Sequence, residues 1–172
     1  MIANEPSSTP PGMYKDLDCS VARTLEQIGE RWTFLILRDS FYGIRRFADF
    51  QDSLGIAKNI LASRLTSLVE SGIMRKEQYQ EHPPRYEYRL TEKGRDLVPM
   101  LTTLLAWGDK WATDGEDPVK LTHTDCGAVM HTMTVCGHCQ EPINAFNLGI
   151  DPIPEIVQKR VLEGRLATHQ AD

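Results

Sequence analysis

Three of the four cysteines lie close together in the second half of the 172-residue chain, near a histidine. The order is His123-x2-Cys126, then nine residues, then Cys136-x2-Cys139. Two ligand pairs with this spacing supply the four ligands of a tetrahedral zinc ion, because each pair forms one tight turn. The pattern therefore predicts a closed Cys3His site for one structural zinc ion, since a catalytic zinc keeps one position open.

Other interpretations of this cluster stay open. A disulfide between Cys136 and either Cys126 or Cys139 would make a thiol switch, and reduced thiols in a small β-hairpin would need no metal. His131 and His138 are alternative candidates for the fourth zinc ligand. Zinc, a thiol switch and free thiols are three alternatives for the same segment.

A second set of polar and basic side chains is typical of DNA recognition. Lys58, Asn59 and Ser63 fall at the start of a predicted helix, where the side chains of a recognition helix face base edges. Asn pairs with adenine through two hydrogen bonds, and Lys pairs with guanine. His82 and Arg85 fall in and beside a later loop, from which they would reach the minor groove or phosphates.

Charge supports a DNA-binding surface in this part of the chain. Residues 31–95 carry 12 basic and 8 acidic side chains, whereas the whole chain has a formal net charge of −5. Contact with phosphates needs such a local excess. A helical domain with a solvated, charged surface would show the same counts without binding DNA. Arg64 either contacts phosphate or pairs with Glu70 or Asp49.

The elements that position these residues follow from hydrophobic spacing. Apolar residues three or four positions apart predict four helices before residue 72. Their apolar positions are Leu17, Val21, Leu25 and Ile28, then Trp32, Leu35 and Ile36, then Phe47, Phe50 and Leu54, then Leu61, Leu65 and Leu68. Gly43, Gly55 and Gly72 end the last three helices. The sequence shows no internal repeat.

The pattern then changes to strands. Tyr86, Tyr88 and Leu90 alternate with charged residues, residues 74–79 are a weaker strand, and the two prolines between them place a loop there. Thr91 is the predicted N-cap of one long helix. Its apolar stripe comprises Leu97, Leu101, Leu104 and Trp111.

Helices followed by a β-hairpin are the order of a winged helix-turn-helix, a mainly α fold with a small β-hairpin wing (α+β). The predicted organisation is a disordered tail (1–13), the winged domain with a C-terminal dimerisation helix (14–113), a linker (114–118), a zinc-ribbon-like or β-hairpin extension (119–143) and a tail that could form one helix (144–172).

Composition excludes several classes of protein. Hydrophobic residues make up 41% and charged residues 25%, which is typical of a globular domain rather than a disordered one. No apolar run spans a membrane, and the first residues do not form a signal peptide, so we expect a cytoplasmic protein. No catalytic triad, phosphate-binding glycine loop or paired carboxylates stand out, so we do not expect an enzyme.

Several ordered segments resemble HxlR-type transcriptional regulators. They are CSVARTL at 19–25, IGERWT at 28–33, ILR at 36–38, GIRRF at 43–47, LASRL at 61–65, PPRYEY at 83–88 and LTEKG at 90–94. The resemblance covers roughly residues 17–113. It implies a winged helix-turn-helix fold, bacterial or archaeal origin, and a homodimer that binds promoter DNA at an inverted repeat. The candidate DNA-contacting residues are Arg46, Lys58, Asn59, Ser63, Arg64, His82 and Arg85.

The resemblance bears on two further positions. The family usually has Ser before its recognition helix, where this chain has Ala57, so a helix cap and a phosphate contact are lost. In some family members a cysteine at the position of Cys19 senses oxidants or electrophiles. The positive end of the helix dipole would favour the thiolate form of Cys19, whereas the negative charges of Asp16 and Asp18 would oppose it. The alternative to a sensor role is that Cys19 is a small, buried apolar side chain.

The aromatic residues have alternative roles as well. Trp32 is expected in the core rather than at a ligand. Trp107 and Trp111 could line a ligand pocket, but dimer packing is favoured because family members dimerise through their terminal helices. Cys/His-bearing extensions also follow the winged domain in some members.

The leading functional hypothesis is a transcriptional regulator that binds promoter DNA and responds to a small molecule or a redox signal. A variant of this hypothesis is a metal sensor, in which metal at the cysteine cluster changes operator affinity. The alternative is a zinc-stapled interaction module without sequence-specific DNA binding.

Overall fold

The computed structural model describes residues 19–113 and 119–151, together with Glu155 and Lys159. The predictions for the tail at 1–13, for the linker at 114–118 and for most of the C-terminal helix lie outside the described residues. The chain divides into two compact units, Met1–Leu105 and Ala106–Asp172. No described helix has the length and hydropathy needed to cross a membrane.

The four helices predicted from hydrophobic spacing are confirmed. They are α1 (Ser20–Ile28), α2 (Arg31–Phe41), α3 (Phe47–Leu54) and α4 (Lys58–Glu70). Gly55 ends α3 with φ +61°, and Gly72 follows α4 with φ +71°. Both angles lie in the left-handed region that glycine adopts without steric cost, so the two breaks are set by sequence.

The hydrophobic core is formed where α2, α3 and α4 pack against the start of the first strand. Its fully buried side chains include Ile36, Leu37, Phe50, Leu61 and Leu65. Trp32 is partly buried and packs against this cluster, as predicted. α1 differs from the prediction: Ile28 is buried, but Val21 is 66% exposed and Leu25 is 44% exposed.

The predicted wing is a two-stranded antiparallel hairpin of β1 (Met74–Gln80) and β2 (Arg85–Leu90). The register pairs Met74 with Leu90 and Gln80 with Arg85, with an irregularity between Gln78 and Gln80. The segment before α3 adds to its edge. The N–H of Tyr88 donates to the carbonyl of Arg45 at 2.7 Å, and Arg46 forms a bridge with Glu87.

The single long helix predicted after Thr91 is wrong, because two helices stand there. α5 (Glu92–Arg95) is one turn long, and α6 (Val98–Trp111) begins two residues later. Pro99 explains the break, since it has no N–H to donate to the carbonyl of Arg95 and its ring would collide with that carbonyl. A proline is tolerated in the first turn of a helix, so α6 starts there.

The predicted cap at Thr91 is confirmed and does more than cap α5. Its Oγ1 accepts a hydrogen bond from the N–H of Gly94 at 3.3 Å. The same hydroxyl donates to the carbonyl of Gly72 at 2.6 Å. Thr91 therefore ties the start of α5 to the end of α4.

Candidate nucleic-acid interface

The N-terminal part of α4 presents a polar, exposed face. Lys58, Asn59 and Ser63 are all exposed, whereas Leu61 and Leu65 are buried. Asn59 and Ser63, four residues apart, lie on the side of the helix opposite Leu61 and Leu65, and Lys58 is the first residue of the helix. The structure thus brings together three predicted DNA-contacting residues on one surface.

The start of α4 has no side-chain cap. Ala57 occupies the N-cap position, and no side-chain hydrogen bond is made there. The first backbone N–H groups of the helix lack that partner, and such groups attract phosphate oxygens. A phosphate bound here would be held by backbone groups and by Lys58 rather than by a capping hydroxyl.

Arg64 pairs with neither of its two predicted acidic partners. Its Nη1 lies 3.7 Å from Oε1 of Glu30, the N-cap residue of α2, and both side chains are half-buried. Glu70 is excluded by geometry, because six residues along a helix turn the side chain by about 240°. The ion pair joins α4 to α2, and contact of Arg64 with phosphate stays a prediction.

The wing carries cations held against aromatic rings. The guanidinium of Arg46 lies 4.6 Å from the ring centroid of Tyr79, and the ammonium of Lys76 lies 4.2 Å from that of Tyr86. Such stacking restricts the position of a cation and leaves its outer side open to a phosphate. Neither tyrosine was predicted to hold a cation, although Tyr86 belongs to the alternating pattern of β2.

Other charges on the wing neutralise each other. Arg75 contacts Glu77 at 2.5 Å, and Arg89 contacts Glu77 at 2.9 Å and Glu87 at 2.5 Å. The hydrogen bond from Arg75, with the nearby charge of Arg89, holds the pKa of Glu77 below its usual value. This network accounts for two of the basic residues in the local excess, so they contribute less to binding an anion.

The turn of the wing is exposed on both sides of its prolines. His82 lies within the turn and Arg85 begins β2, and both side chains are exposed. Neither Lys58 nor Arg85 forms an ion pair with another described residue. These two cations are therefore available to bind phosphate.

Cys19 lies at the N-cap position of α1 with an exposed side chain. The interpretation of Cys19 as a buried apolar residue is therefore wrong. A buried thiol would need neighbours on all sides, whereas the exposed side chains of Val21 and Leu25 follow it on the same helix. Its role as a sensor stays a prediction.

The cysteine segment contains two hairpin turns with the same backbone geometry. In each turn, the backbone N–H of the first predicted ligand donates to the carbonyl of the residue five positions later. The backbone N–H of the residue after the second predicted ligand donates to the carbonyl of the first ligand. The paired bonds are His123 N to Ala128 O (2.9 Å) and Cys136 N to Glu141 O (2.9 Å), then Gly127 N to His123 O (2.7 Å) and Gln140 N to Cys136 O (2.9 Å). A repeat absent from the sequence pattern is thus present in the backbone.

Each turn brings its two predicted metal ligands together. Sγ of Cys126 lies 3.5 Å from Nδ1 of His123. In the second turn, the backbone N–H groups of Cys139 and His138 and the Cys139 thiol hydrogen-bond to Cys136, which holds the pKa of Cys136 below its usual value. Over the described ranges, no three His, Cys, Asp or Glu side chains converge closely enough to hold a metal ion. Each turn therefore holds its own two candidate ligands close together, but the two pairs do not converge on one metal site.

A family model described as HxlR-like helix-turn-helix matches residues 27–116, just over half of the chain. The matched stretch contains α4, the wing and all seven residues predicted to contact DNA. The match thus includes the complete surface described above and ends before the two hairpin turns.

Relatives extend the similarity along the chain. An uncharacterized HTH-type transcriptional regulator of Mycobacterium tuberculosis is 46% identical over 136 residues, covering 78% of this chain and 86% of the relative. A match of that length includes part of the chain beyond residue 116. An uncharacterized HTH-type transcriptional regulator of Methanothermobacter thermautotrophicus is 36% identical over 100 residues, covering 58% of this chain and 76% of that relative.

Two solved structures are similar to the chain. The crystal structure of PA1607, described as a candidate transcription factor, is 40% identical with a TM-score of 0.73, and the match covers 81% of this chain and 99% of that one. The redox regulator HypR in its reduced form is 33% identical with a TM-score of 0.51, covering 54% of this chain and 92% of that one.

Proposed function

The chain belongs to the HxlR-like helix-turn-helix family of transcriptional regulators, and from this premise we propose that it binds promoter DNA as a homodimer. α4 is the recognition helix and enters the major groove, and the wing contacts the adjacent backbone. The observation that carries the proposal is the exposed N-terminal part of α4, which presents Lys58, Asn59 and Ser63 to solvent while Leu61 and Leu65 are buried. The activity proposed is binding rather than catalysis.

The roles of the contacts follow from their chemistry. Asn59 reads a base edge, since an amide offers both a donor and an acceptor. Lys58, Arg46 and Arg85 neutralise phosphates, and Arg46 is held for this by its contact with Tyr79. His82 lies in the turn of the wing, where it reaches the backbone or the minor groove.

The second copy in the proposed dimer packs on apolar side chains of the terminal helices. Val21 and Leu25 on α1 are exposed, as are Leu104 (48%) and Trp107 (60%) on α6. Exposed apolar residues of this size on a folded chain are typical of an interface. A homodimer would present two recognition helices to an inverted-repeat site.

The signal that the regulator answers is proposed to be an oxidant or electrophile acting on Cys19. The thiol is exposed at the start of α1, beside apolar residues assigned above to the dimer. The similar structure of HypR is that of a redox regulator. Modification of this thiol would alter the packing of α1 and thereby operator affinity.

The proposal is tested by fluorescence anisotropy with labelled DNA from directly upstream of the protein's own gene, against a scrambled fragment, over a salt series. Tight binding to the upstream fragment that falls steeply with salt is expected. A Lys58→Ala/Arg85→Ala variant should lose most of this affinity. Its matched control, Lys120→Ala/Lys159→Ala, also removes two exposed positive charges and should bind as the wild type does.

Two results would contradict the proposal. One is equal affinity of the folded protein for both DNA fragments at every salt concentration. The other is equal loss of affinity in the variant and its charge-matched control. Either result would favour an interaction module that does not read DNA sequence. For Cys19, diamide should change operator affinity in the wild type but not in Cys19→Ser.

A further inference from the structure

The two hairpin turns in residues 119–143 repeat at an offset of 13 residues. The bridge between Thr122 and Val129 corresponds to the one between Val135 and Pro142. Gly127 and Gln140 occupy equivalent positions after the second ligand, with φ +71° and φ +62°. Gln140 is a non-glycine residue in the left-handed region, which is uncommon and requires a surrounding geometry that holds it there.

The side chains that could bind a metal also occupy equivalent positions in the two turns. His123 and Cys136 hold the first position of each turn, and Cys126 and Cys139 hold the fourth. In this geometry two side chains three residues apart point to the same side of the turn, as the 3.5 Å contact of Cys126 with His123 shows. Each turn is thus a preformed ligand pair of the kind that makes half of a tetrahedral zinc site.

The same segment has no hydrophobic core of its own. All the fully buried apolar residues that the structure describes belong to residues 22–74, and every described residue from 119 to 151 is at least partly exposed. A unit this small needs a disulfide, a metal or a partner surface to hold its turns in place. The three cysteines of the segment are free, so no disulfide holds the turns, and a bound metal would provide the crosslink.

We propose that residues 119–143 form a zinc ribbon in which His123, Cys126, Cys136 and Cys139 bind one zinc ion per chain. Over the described ranges, no three of these side chains converge on one point. Binding of the ion would therefore draw the two turns together. Three thiolates and one imidazole fill a tetrahedral shell, so the site is structural and closed to substrate. Soft sulfur ligands select zinc over magnesium or calcium.

The test measures zinc in the full-length protein, purified under reducing conditions and without chelator, by inductively coupled plasma mass spectrometry. One zinc ion per chain is expected. After removal of the metal, titration with Co²⁺ should give visible absorption bands of a tetrahedral site with thiolate charge transfer, and Zn²⁺ should displace the cobalt. Less than half an equivalent of zinc together with no tetrahedral cobalt spectrum would overturn the proposal.

Single substitutions assign the ligands. Cys126→Ser, Cys136→Ser, Cys139→Ser and His123→Asn should each weaken zinc binding by at least about tenfold in competition with a chromophoric chelator. The matched controls are Cys19→Ser, His131→Asn and His138→Asn, which should retain wild-type affinity. Equal effects of ligand and control substitutions would refute the assignment, as would a half-equivalent of zinc shared between two chains.

Two further features keep the test decisive. The cobalt spectrum is recorded on the wild-type chain, so misfolding of a variant does not remove the result. Mass spectrometry of the protein purified under reducing conditions also tests for a Cys136–Cys139 disulfide. Its presence would contradict the zinc proposal and favour a thiol switch. No DNA is present in these measurements, so their outcome is independent of the proposed promoter binding.

Discussion

Lys58 and Asn59 are adjacent at the exposed N-terminus of α4, yet they would contribute to DNA binding in different ways. An ammonium group attracts any phosphate, so its contribution is largely independent of sequence and falls with salt. An amide forms two hydrogen bonds with adenine, so its contribution depends on the base. Lys58 would therefore contribute mainly to the affinity for DNA of any sequence, and Asn59 mainly to the specificity for one sequence.

Substitution of these two residues should have different signatures. Asn59→Ala is expected to weaken binding to the upstream fragment by about 1–3 kcal/mol and to leave binding to scrambled DNA nearly unchanged. Lys58→Ala should weaken binding to both fragments and reduce the salt slope by about 1. Anisotropy titrations at several salt concentrations measure both quantities, and identical behaviour of the two variants would contradict these roles.

Ala57 offers a prediction about stability at the same helix end. A serine at this N-cap position would accept a hydrogen bond from a free backbone N–H, so Ala57→Ser should raise the free energy of unfolding by about 1 kcal/mol. Ala62→Ser is the control, since Ala62 is exposed within α4 and serine there should lower stability by a few tenths of a kcal/mol. Urea denaturation measures both, and a gain at position 62 or a loss at position 57 would be contrary to expectation.

At the scale of elements, the join between the wing, α5 and α6 depends on close backbone contact. Gly94 in α5 is buried, and a Cβ there would collide with the carbonyl oxygen of Ile73 and approach the Leu90 side chain. The N–H of Thr91 also donates to the carbonyl of Ile73 at 3.0 Å. The turn of α5 therefore packs directly on the backbone at the start of β1.

This packing predicts opposite effects for two glycine substitutions. Gly94→Ala should lower the free energy of unfolding by about 1–3 kcal/mol or more, because backbone atoms must move to admit the methyl group. Gly108→Ala lies in α6 with open space around its Cβ, so it should raise stability by up to about 1 kcal/mol. Chemical denaturation compares the two, and destabilisation of equal size by both would be inconsistent with this account.

At the scale of the whole molecule, the core of the winged unit is complete within one chain while apolar side chains remain exposed. The fully buried core residues lie on α1 to α4, at the start of β1, and at Ile56 and Ile73 in the connections on either side of α4. Trp107 on α6 is 60% exposed. Its removal should therefore affect association rather than folding.

Trp107→Glu is expected to shift the protein from dimer to monomer in sedimentation velocity without changing the circular dichroism spectrum. Weaker promoter binding should follow, because a monomer contacts only one half-site. Ala106→Glu, a substitution of the exposed neighbouring residue on the same helix, is the control and should remain dimeric. A dimeric Trp107→Glu variant would place the interface elsewhere.

Most of the secondary structure of the winged unit follows from the sequence, because its signals are local. Apolar residues at helical spacing, and glycines at positions 55 and 72, define the helices within a few residues. The break before α6 was also encoded locally, by Pro99, but the apolar stripe across it suggested one continuous helix. The exposure of Asn59 and Ser63, on the side of α4 opposite the buried Leu61 and Leu65, likewise follows from helical periodicity.

The tertiary structure decided which groups meet. Arg64 forms an ion pair with Glu30, and the guanidinium of Arg46 stacks on the ring of Tyr79. Both contacts join elements that are distant in sequence. The exposure of Val21 and Leu25 is also a tertiary result, since their spacing is the same whether a helix faces a core or solvent. Sequence spacing determines which side chains share a face, but only packing in three dimensions determines what that face contacts.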